Sequence, residues 1–458
     1  MSGENPMSGW GRIFRDQRIA VLGLGRNGLP AARALAALGA DVIAWDDFPA
    51  ARAAAAEAGI RVAPLTPAGW DALLLSPGIP HRLPRPHPLA RAFRDAGIAI
   101  VCDAELLFRA VRGLGSRAKF VGITGTNGKS TTTALLAHIL GTAGRAHAAG
   151  GNLGPAALAL PLLPDDGVYV LEMSSYLLER LVTLRFDAAA LLNLSPDHLD
   201  RHGDMAGYRA AKAHVFDRQT AADWAVIGID DDDTRALADG ARAARTLSVS
   251  GAMPADIWAD GTALRDAQGV LVDLARARAL PGTHNAQNAA AAFALARALD
   301  LPRAAIAAGI SSYPGLPHRQ EKIAEIAGTV FINDSKATNA DSAARALACY
   351  PRIVWIAGGI AKAGGIAPLA PFFPRLAEAL LIGRDAPAFA ATLAAHGVAR
   401  RIVATLENAV PAAFARARAT GAVVLLSPAA ASFDQFANFE ARGDKFRALV
   451  FELARGHA

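Results

Sequence analysis

The stretch Gly122-Ile-Thr-Gly-Thr-Asn-Gly-Lys-Ser130 decides the predicted fold. It follows the apolar run 120–124, which has the length and composition of a buried β-strand, and it opens the helical stretch 129–140. Glycines let backbone N–H groups turn toward an anion, and the first turn of a helix favours negative charge. A strand, a glycine-rich turn and a helix in this order predict a phosphate-binding loop in an α/β domain.

Three side chains of this loop suit a bound nucleotide. Lys129 would neutralise the charge of a transferring phosphate, and the hydroxyl of Ser130 or Thr131 can reach a Mg²⁺ ion. Ile123 stands where the strict eight-residue pattern has its first glycine, so a chance glycine-rich turn is the alternative. The flanking strand and helix favour phosphate binding.

Strands and helices alternate on both sides of the loop. This alternation indicates mostly parallel sheets covered by helices. Strands are predicted at 18–25, 41–46, 73–76, 98–102, 168–172, 188–194, 224–229, 329–333, 353–357, 379–382, 401–403 and 422–427. Helices are predicted at 29–38, 50–58, 205–218 and 285–298, and a polar, turn-rich stretch with hairpin pieces at 257–264 and 269–274 reaches position 281.

Glycine- and proline-rich joints at 113–118 and 314–317 divide the chain into three predicted α/β domains. Residues 1–115 form a Rossmann-like domain, residues 116–314 a central P-loop ATPase domain, and residues 315–458 a second Rossmann-like domain. The carboxyl ends of the strands are expected to supply the sites.

The composition restricts the class of protein. The chain has 458 residues, and 52% of them are hydrophobic, many of these being alanine. The sequence contains no run of about 18 apolar residues, the length of a transmembrane helix, that is free of charges and of Gly or Pro breaks. Two distant cysteines suit a reducing cytosol and exclude a disulfide scaffold. The net charge of +6 is spread over scattered arginines. Solvated helix faces account for this charge, and an anionic small-molecule substrate fits it as well. We expect a cytoplasmic protein with neither a membrane nor a nucleic-acid partner.

A second glycine-rich turn, Gly23-Leu-Gly-Arg-Asn-Gly28, follows the first predicted strand. Asp46 ends the next strand, as in a dinucleotide site. NAD(P), the diphosphate of another nucleotide and a plain tight turn all fit this pattern. The downstream phosphate loop favours another nucleotide.

Polar side chains follow two strands of the central domain. Glu172, in Leu171-Glu-Met-Ser-Ser175, is placed to coordinate Mg²⁺ beside the phosphate loop, although a helix cap of Glu and Ser is the alternative. Asp197, His198 and Asp200 follow the next strand and suit a metal or substrate edge.

Three further features carry polar groups. Lys212 is one of few lysines in an arginine-rich chain, and a solvated surface lysine is its alternative. In His284-Asn-Ala-Gln-Asn288 two amides three residues apart share one helix face, as helix caps or as partners of a base. In the last domain polar residues concentrate in three segments, namely Gly315-Leu-Pro-His-Arg-Gln-Glu321, Asn333-Asp-Ser-Lys-Ala-Thr-Asn339 and Ala431-Ser-Phe-Asp-Gln-Phe-Ala-Asn-Phe-Glu-Ala-Arg-Gly443.

Together these motifs closely resemble the Mur ligases, in order and over nearly the whole chain. The loop Gly125-Thr-Asn-Gly-Lys-Ser130 and His284-Asn285 with Asn288 are similar to those of all Mur and folylpolyglutamate ligases. Gly315-Leu-Pro-His-Arg319, Asn333 to Asn339 and Ser432-Phe-Asp-Gln-Phe436 resemble the D-glutamate-adding branch. The resemblance implies that the first domain binds UDP, the central one ATP, and the third closes over nucleotide and amino acid.

The resemblance also implies roles for single residues. The catalytic set would be Lys129, Glu172, His198 and Lys212. ATP would be bound by Gly125, Thr126, Asn127, Gly128, Lys129, Ser130, Thr131, Asn288, Arg319 and Asp334. Two Mg²⁺ ions would be held by Ser130, Glu172, His198 and a carbamylated Lys212. The UDP substrate would contact Arg26, Asn27, Asp46, Ser76, Gly78, Asn152 and Ser174. D-Glutamate would be surrounded by Lys336, Thr338, Lys362, Ser432 and Phe439.

Three positions depart from the family pattern. Leu177 replaces a glutamine that contacts substrate, and Ile360 changes the loop before Lys362, whose role is thereby in doubt. Asp47 replaces a small hydroxyl residue beside the UDP aspartate.

The implied reaction is ATP-dependent amide-bond formation between UDP-MurNAc-L-alanine and D-glutamate through an acyl phosphate, by a monomer. A nicotinamide oxidoreductase would explain the first glycine motif but leaves the phosphate loop, Glu172 and Lys212 without use. A non-catalytic nucleotide sensor would use the loop for binding only. The nearest rival is a sister Mur ligase that adds a different amino acid.

Overall fold

A computed structural model describes residues 9–152, 154–240, 242–277, 279–362 and 364–456. The chain divides into two compact units, the first of Met1–Ala277 with Asn285–Tyr313 and the second of Arg278–His284 with Pro314–Ala458. The first unit contains a four-stranded and a nine-stranded sheet, and the second a six-stranded sheet. The mostly parallel α/β fold predicted from the sequence is confirmed.

The four-stranded sheet has the order β2-β1-β3-β4 and is parallel throughout. Its strand β3 is buried along its whole length, as expected of a strand covered by helices on both faces. The strands are β1 (Arg18–Leu22), β2 (Asp41–Trp45), β3 (Ala72–Leu75) and β4 (Ile100–Val101), and the helices are α1 (Gly28–Ala37), α2 (Pro49–Glu57), α3 (Pro88–Asp95) and α4 (Asp103–Gly113).

The nine-stranded sheet has the order β13-β12-β11-β10-β9-β8-β5-β7-β6, and only β12 and β13 run antiparallel to their neighbours. Its strands are β5 (Lys119–Thr124), β6 (His147–Gly151), β7 (Val168–Glu172), β8 (Ala188–Leu191), β9 (Trp224–Gly228), β10 (Arg245–Ser250), β11 (Ile257–Asp260), β12 (Ala263–Asp266) and β13 (Gly269–Asp273). Its helices are α5 (Lys129–Thr142), α6 (Ser175–Leu178), α7 (Leu199–His202), α8 (Met205–Ala213), α9 (Asp232–Ala238), α10 (Thr283–Ala298) and α11 (Arg303–Ser312).

The two sheets of the first unit share one hydrophobic core. Phe108 of α4 meets Phe120 of β5 edge-on, with ring centroids 5.2 Å apart. The joint predicted at 113–118 is tied down by Arg112, which donates to the carbonyls of Ser116 and Ala118 at 2.8 and 3.0 Å. This shared core explains why residues on both sides of the joint belong to one compact unit.

The six-stranded sheet of the second unit has the order β14-β15-β20-β16-β18-β19, and only β14 is antiparallel to its neighbour. A short antiparallel pair, β17 with β21, belongs to the same unit. The strands are β14 (Glu321–Ile326), β15 (Thr329–Asn333), β16 (Ile353–Gly358), β17 (Ile360–Ala361), β18 (Leu376–Ile382), β19 (Arg400–Ala404), β20 (Val423–Leu426) and β21 (Ala430–Ala431). The helices are α12 (Ala340–Leu347), α13 (Ala386–Ala395), α14 (Leu406–Thr420) and α15 (Phe439–Arg455).

Some local predictions were wrong. The stretch after β9 was predicted as turns and hairpin pieces, but it also contains α9 and β10, whose polar side chains hide the usual apolar pattern. The helix predicted to reach Arg218 ends at Ala213 and continues as a 3₁₀ turn. In the described part of the chain, no helix is long and apolar enough to cross a membrane.

Candidate functional site

The first glycine-rich turn and the loop after β3 enclose a cavity at the carboxyl ends of the parallel strands. The Asp46 carboxylate joins two backbone segments there, because it accepts from the N–H groups of Leu24 and Phe48 at 2.7 and 2.9 Å. Ser76 Oγ donates to the Gly23 carbonyl at 2.9 Å. The cavity has a volume of about 960 Å³.

The cavity brings together all but one of the residues predicted for the UDP substrate. The predicted residues that line the cavity are Arg26, Asn27, Asp46, Ser76, Gly78 and Asn152. Gly23, Gly25 and Phe48 line it as well. Ser174 is not among the lining residues, and its Oγ caps α6 by accepting from the Leu177 N–H at 3.3 Å. Its contact with the muramoyl group stays a prediction.

Two departures from the family pattern have local explanations. Asp47 pairs with His87 across the cavity, with 3.0 Å between Oδ2 and Nε2, and this hydrogen bond lowers the pKa of Asp47. His87 Nδ1 accepts from the Leu89 N–H, so Nε2 carries the proton that is donated to Asp47. Leu177 is fully buried in the core, where its side chain has no access to substrate.

The phosphate loop lies between β5 and α5, at the point where the strand order changes direction. Its backbone is held by Asn193, which follows β8. The Asn193 carbonyl accepts from the Thr126 N–H at 2.8 Å, and Asn193 Oδ1 accepts from the Asn127 N–H at 2.9 Å. Asn193 lies within the stretch 188–194 that is predicted as a strand, and the sequence indicates no role for it, since only the sheet order brings it to the loop.

Gly128 is the N-cap of α5 and has φ of +84°, a conformation that favours glycine. A Cβ at this position would lie 2.2 Å from Asn288 Oδ1. The same Oδ1 accepts from Thr132 Oγ1 at 3.3 Å, and Asn288 Nδ2 donates to Asn285 Oδ1 at 3.1 Å. The two amides therefore share one face of α10, as predicted, and that face packs on the phosphate loop.

Two lysines converge on the phosphate loop. Lys129 Nζ donates to the carbonyls of Gly125 and Thr126, both at 2.8 Å. Lys212 Nζ donates to the Gly125 carbonyl, also at 2.8 Å. Lys212 is 1% exposed, which excludes the alternative of an ordinary surface lysine. Burial, and then the charge of Lys129, hold the pKa of Lys212 well below its usual range.

Glu172 ends β7, the neighbour of β5, and is buried. Its Oε1 accepts from Asn152 Nδ2 at 2.7 Å, whereas its buried Oε2 has no hydrogen-bond partner. Ser130 and Thr131 are buried in the first turn of α5. The helix-capping alternative does not apply to Glu172.

His198 precedes α7 with φ of +53° and packs against Tyr176, with 5.1 Å between ring centroids. Burial lowers its pKa, and Lys212 and Lys129 contribute to the shift. His198 and the two lysines are thus close enough to sense one another's charge. No group of three or more His, Cys, Asp and Glu side chains among the described residues is arranged to hold a metal.

In the second unit, Asp334 follows β15 and is buried. Its Oδ2 accepts from Ser427 Oγ at 2.8 Å and its Oδ1 from the Gln320 N–H at 3.2 Å. Burial raises the pKa of Asp334 to about 7, although the Arg319 charge opposes the shift. A buried carboxylate at a strand end is typical of a binding site.

The loop after Asp334 is joined to the start of α15. The ammonium group of Lys336 lies 5.7 Å from the ring centroid of Phe439, and Ser335 Oγ donates to the Phe439 carbonyl at 2.8 Å. The buried Arg442 donates to the Ser335 hydroxyl and carbonyl at 3.0 and 2.8 Å. Arg442 lies in a predicted motif but was not selected there.

The other residues predicted for D-glutamate have different surroundings. Thr338 is half-buried and donates its N–H to the Lys336 carbonyl at 2.9 Å, and Ser432 is buried. Lys362 is exposed after β17. Since β17 pairs antiparallel with β21, and Ile360 faces Ala431, the register carries Lys362 away from Ser432.

Comparison with known proteins connects this geometry to one family. Residues 123–296 match the family described as the Mur ligase middle domain. A UDP-N-acetylmuramoylalanine–D-glutamate ligase of Caulobacter vibrioides is 49% identical over 97% of this chain and 98% of its own length. The ligase of the same name from Paramagnetospirillum magneticum is 50% identical over 97% and 99%.

Solved structures share the fold. UDP-N-acetylmuramate-alanine ligase MurC from Thermotoga maritima has a TM-score of 0.60 at 17% identity and covers 95% of this chain and 100% of its own. MurF ligase from Thermotoga maritima in complex with ADP has a TM-score of 0.54 at 16% identity, covering 85% and 90%. At these identities the likeness concerns the fold alone.

Proposed function

This chain belongs to the Mur ligases, among the UDP-N-acetylmuramoylalanine–D-glutamate ligases, and we propose that it joins D-glutamate to UDP-MurNAc-L-alanine at the expense of ATP. The observation that carries the proposal is the convergence of Lys129 and Lys212 on the phosphate loop beside the buried Glu172. The proposal includes a monomeric enzyme in the cytoplasm, with the three domains predicted from the sequence.

The reaction needs an activated carboxyl group, since a free carboxylate is a poor electrophile. The terminal carboxylate of UDP-MurNAc-L-alanine attacks the γ-phosphorus of ATP, which gives an acyl phosphate and ADP. The D-glutamate amine then attacks the acyl carbon, and the tetrahedral intermediate expels phosphate. Lys129 stabilises the charge that develops on the transferring phosphate, and Asn288 and Asn193 keep the loop in the required shape.

We propose that residues around the phosphate loop hold two Mg²⁺ ions. The buried Glu172 Oε2 has no hydrogen-bond partner, and Ser130 supplies a hydroxyl at the start of α5. His198 and a carbamylated Lys212 would hold the second ion. The lowered pKa of Lys212 suits carbamylation, because only the neutral amine reacts with carbon dioxide. Bound Mg²⁺ would neutralise phosphate charge during transfer.

The remaining substrates are assigned to the other two clusters. The cavity around Asp46 and Ser76 would take the UDP end of the precursor, with Asn152 toward the muramoyl group. Arg319 and Asp334 would contact ATP from the second unit. Lys336, Thr338, Ser432 and Phe439 would surround D-glutamate, whose two carboxylates need several donors. Lys362 belongs to the same proposed set, at the opposite end of the β17–β21 pair from Ser432.

Phosphate release with UDP-MurNAc-L-alanine and a panel of D- and L-amino acids tests the proposal. We expect turnover with D-glutamate and little with L-glutamate. Preference for another amino acid would assign the chain to a sister branch instead. Phosphate release independent of the precursor would point to a different ATPase.

A pair of lysine variants tests the amino-acid site. Lys336→Ala should raise the KM for D-glutamate far more than the KM for the UDP precursor. The control Lys322→Ala removes an exposed lysine of the same unit that pairs with Glu325. Equal effects of Lys336→Ala on both KM values would reject the assignment.

A further inference from the structure

Arg180 is a buried arginine that none of the assignments above uses. It follows α6, which begins three residues after Glu172, and its side chain is about 1% exposed. Its Nη1 donates to the carbonyls of Leu75 and Ser76 at 2.7 and 3.0 Å, and its Nη2 donates to the Ile79 carbonyl at 2.8 Å. A single guanidinium thus holds three backbone carbonyls of the loop after β3.

Stability alone is a poor reason for this arrangement. Removing a guanidinium from water is costly, and well-packed apolar residues of similar volume are often at least as stabilising as a buried charge. Burial lowers the pKa of Arg180 to about 10, which reports the same desolvation. The fixed fork of donors matches the spacing of several carbonyls, which no apolar side chain can do. The geometry therefore favours a role in holding the loop in one shape.

The neighbours of Arg180 hold the same loop. Arg201 Nη1 donates to the Gly78 carbonyl at 3.1 Å, and its guanidinium lies 4.3 Å from the Tyr176 ring centroid. The segment from β3 to Ile79 is therefore held from one side by residues that follow the strands of the nine-stranded sheet.

The loop after β3, which these arginines hold, forms one wall of the cavity of about 960 Å³. Ser76, Pro77, Gly78 and Ile79 all line it. The opposite anchor of this wall is the 2.9 Å hydrogen bond from Ser76 Oγ to the Gly23 carbonyl. A displacement of the wall would change the cavity without touching the phosphate loop.

We propose that Arg180 is a positioning residue for the nucleotide end of the UDP precursor, which it serves by fixing the backbone of the Ser76–Ile79 wall. This inference rests on the proposed function, because that function assigns UDP to the cavity. Arg180 contacts no substrate in this scheme. It acts through the loop.

The test compares Arg180→Met, Arg180→Lys and a control, Arg218→Met. Arg218 donates to the carbonyls of Leu181 and Val182 at 2.7 and 2.8 Å. It therefore makes the same kind of contact with backbone carbonyls, but outside the loop after β3. UDP alone is the probe, titrated calorimetrically without ATP. The KM values for UDP-MurNAc-L-alanine and ATP are measured in parallel, below the melting temperature of each variant.

We expect Arg180→Met to weaken UDP binding and to raise the precursor KM by about tenfold or more, with the ATP KM changed by about twofold at most. Arg180→Lys keeps a donor, so its UDP affinity should lie between those of the wild type and Arg180→Met. Arg218→Met should bind UDP normally. Normal UDP affinity in a folded Arg180→Met protein would overturn the inference, as would equal losses for UDP and ATP. A wild-type protein that does not bind UDP would instead overturn the proposed use of the cavity.

Discussion

Lys129 and Lys212 donate their ammonium groups to the same carbonyl oxygen, that of Gly125, each at 2.8 Å. Burial, and then the charge of Lys129, lower the pKa of Lys212. Lys212 is therefore the lysine of this pair that is suited to react as a neutral amine.

Lys212→Ala should be nearly inactive, because it removes the carbamate that would ligate Mg²⁺. A small carboxylic acid such as acetate should partly restore turnover, since its oxygens can replace those of the carbamate. Lys212→Arg should gain nothing from acetate, because the guanidinium fills the space and cannot be carbamylated. Phosphate release with and without acetate measures this, and full activity of Lys212→Ala would end the idea.

Lys129→Ala should lower turnover by roughly two to three orders of magnitude, as the loss of one key electrostatic stabiliser does. Lys129 also donates to two carbonyls of its own loop, so we expect a loss of about 1 kcal/mol of stability as well. Lys119→Ala, at the other end of β5, is the control. Near-normal phosphate release by Lys129→Ala at saturating ATP would contradict the assignment.

The sequence predicts the ends of strands better than the contacts made there. Glu172 and Asp334 are recognisable because a polar residue directly after an apolar strand has no reason to lie in a core. Arg180 is not recognisable, since its acceptors lie more than a hundred positions away in the chain and are backbone atoms.

Asp334 should make stability depend on pH. Its folded-state pKa of about 7 lies above the value of 3.8 for an ordinary aspartate, so the folded protein holds a proton that the unfolded chain releases. The free energy of unfolding should therefore fall as pH rises from about 4 to 7, by about 1.4 kcal/mol per pH unit from this group.

Asp334→Asn lacks this titration and supplies the comparison. Urea unfolding of both proteins at about pH 5 and about pH 7 should show the stability of the wild type declining relative to the variant. Parallel pH profiles would mean that burial does not raise the pKa of Asp334 in the folded protein.

Gly128 should tolerate no side chain, for two separable reasons. Its φ of +84° is strained for alanine, and the new Cβ would lie 2.2 Å from Asn288 Oδ1. Gly261→Ala isolates the first reason, since Gly261 has φ of +60° and a Cβ added there would meet no atom within 4 Å. We expect Gly128→Ala to lose about 1–3 kcal/mol more stability than Gly261→Ala, together with ATP-dependent turnover.

Combining Gly128→Ala with Asn288→Ala removes the clashing oxygen, so the double variant should lose less stability than the sum of the single variants. Strictly additive losses in urea unfolding would show that the phosphate loop and α10 are not packed as described.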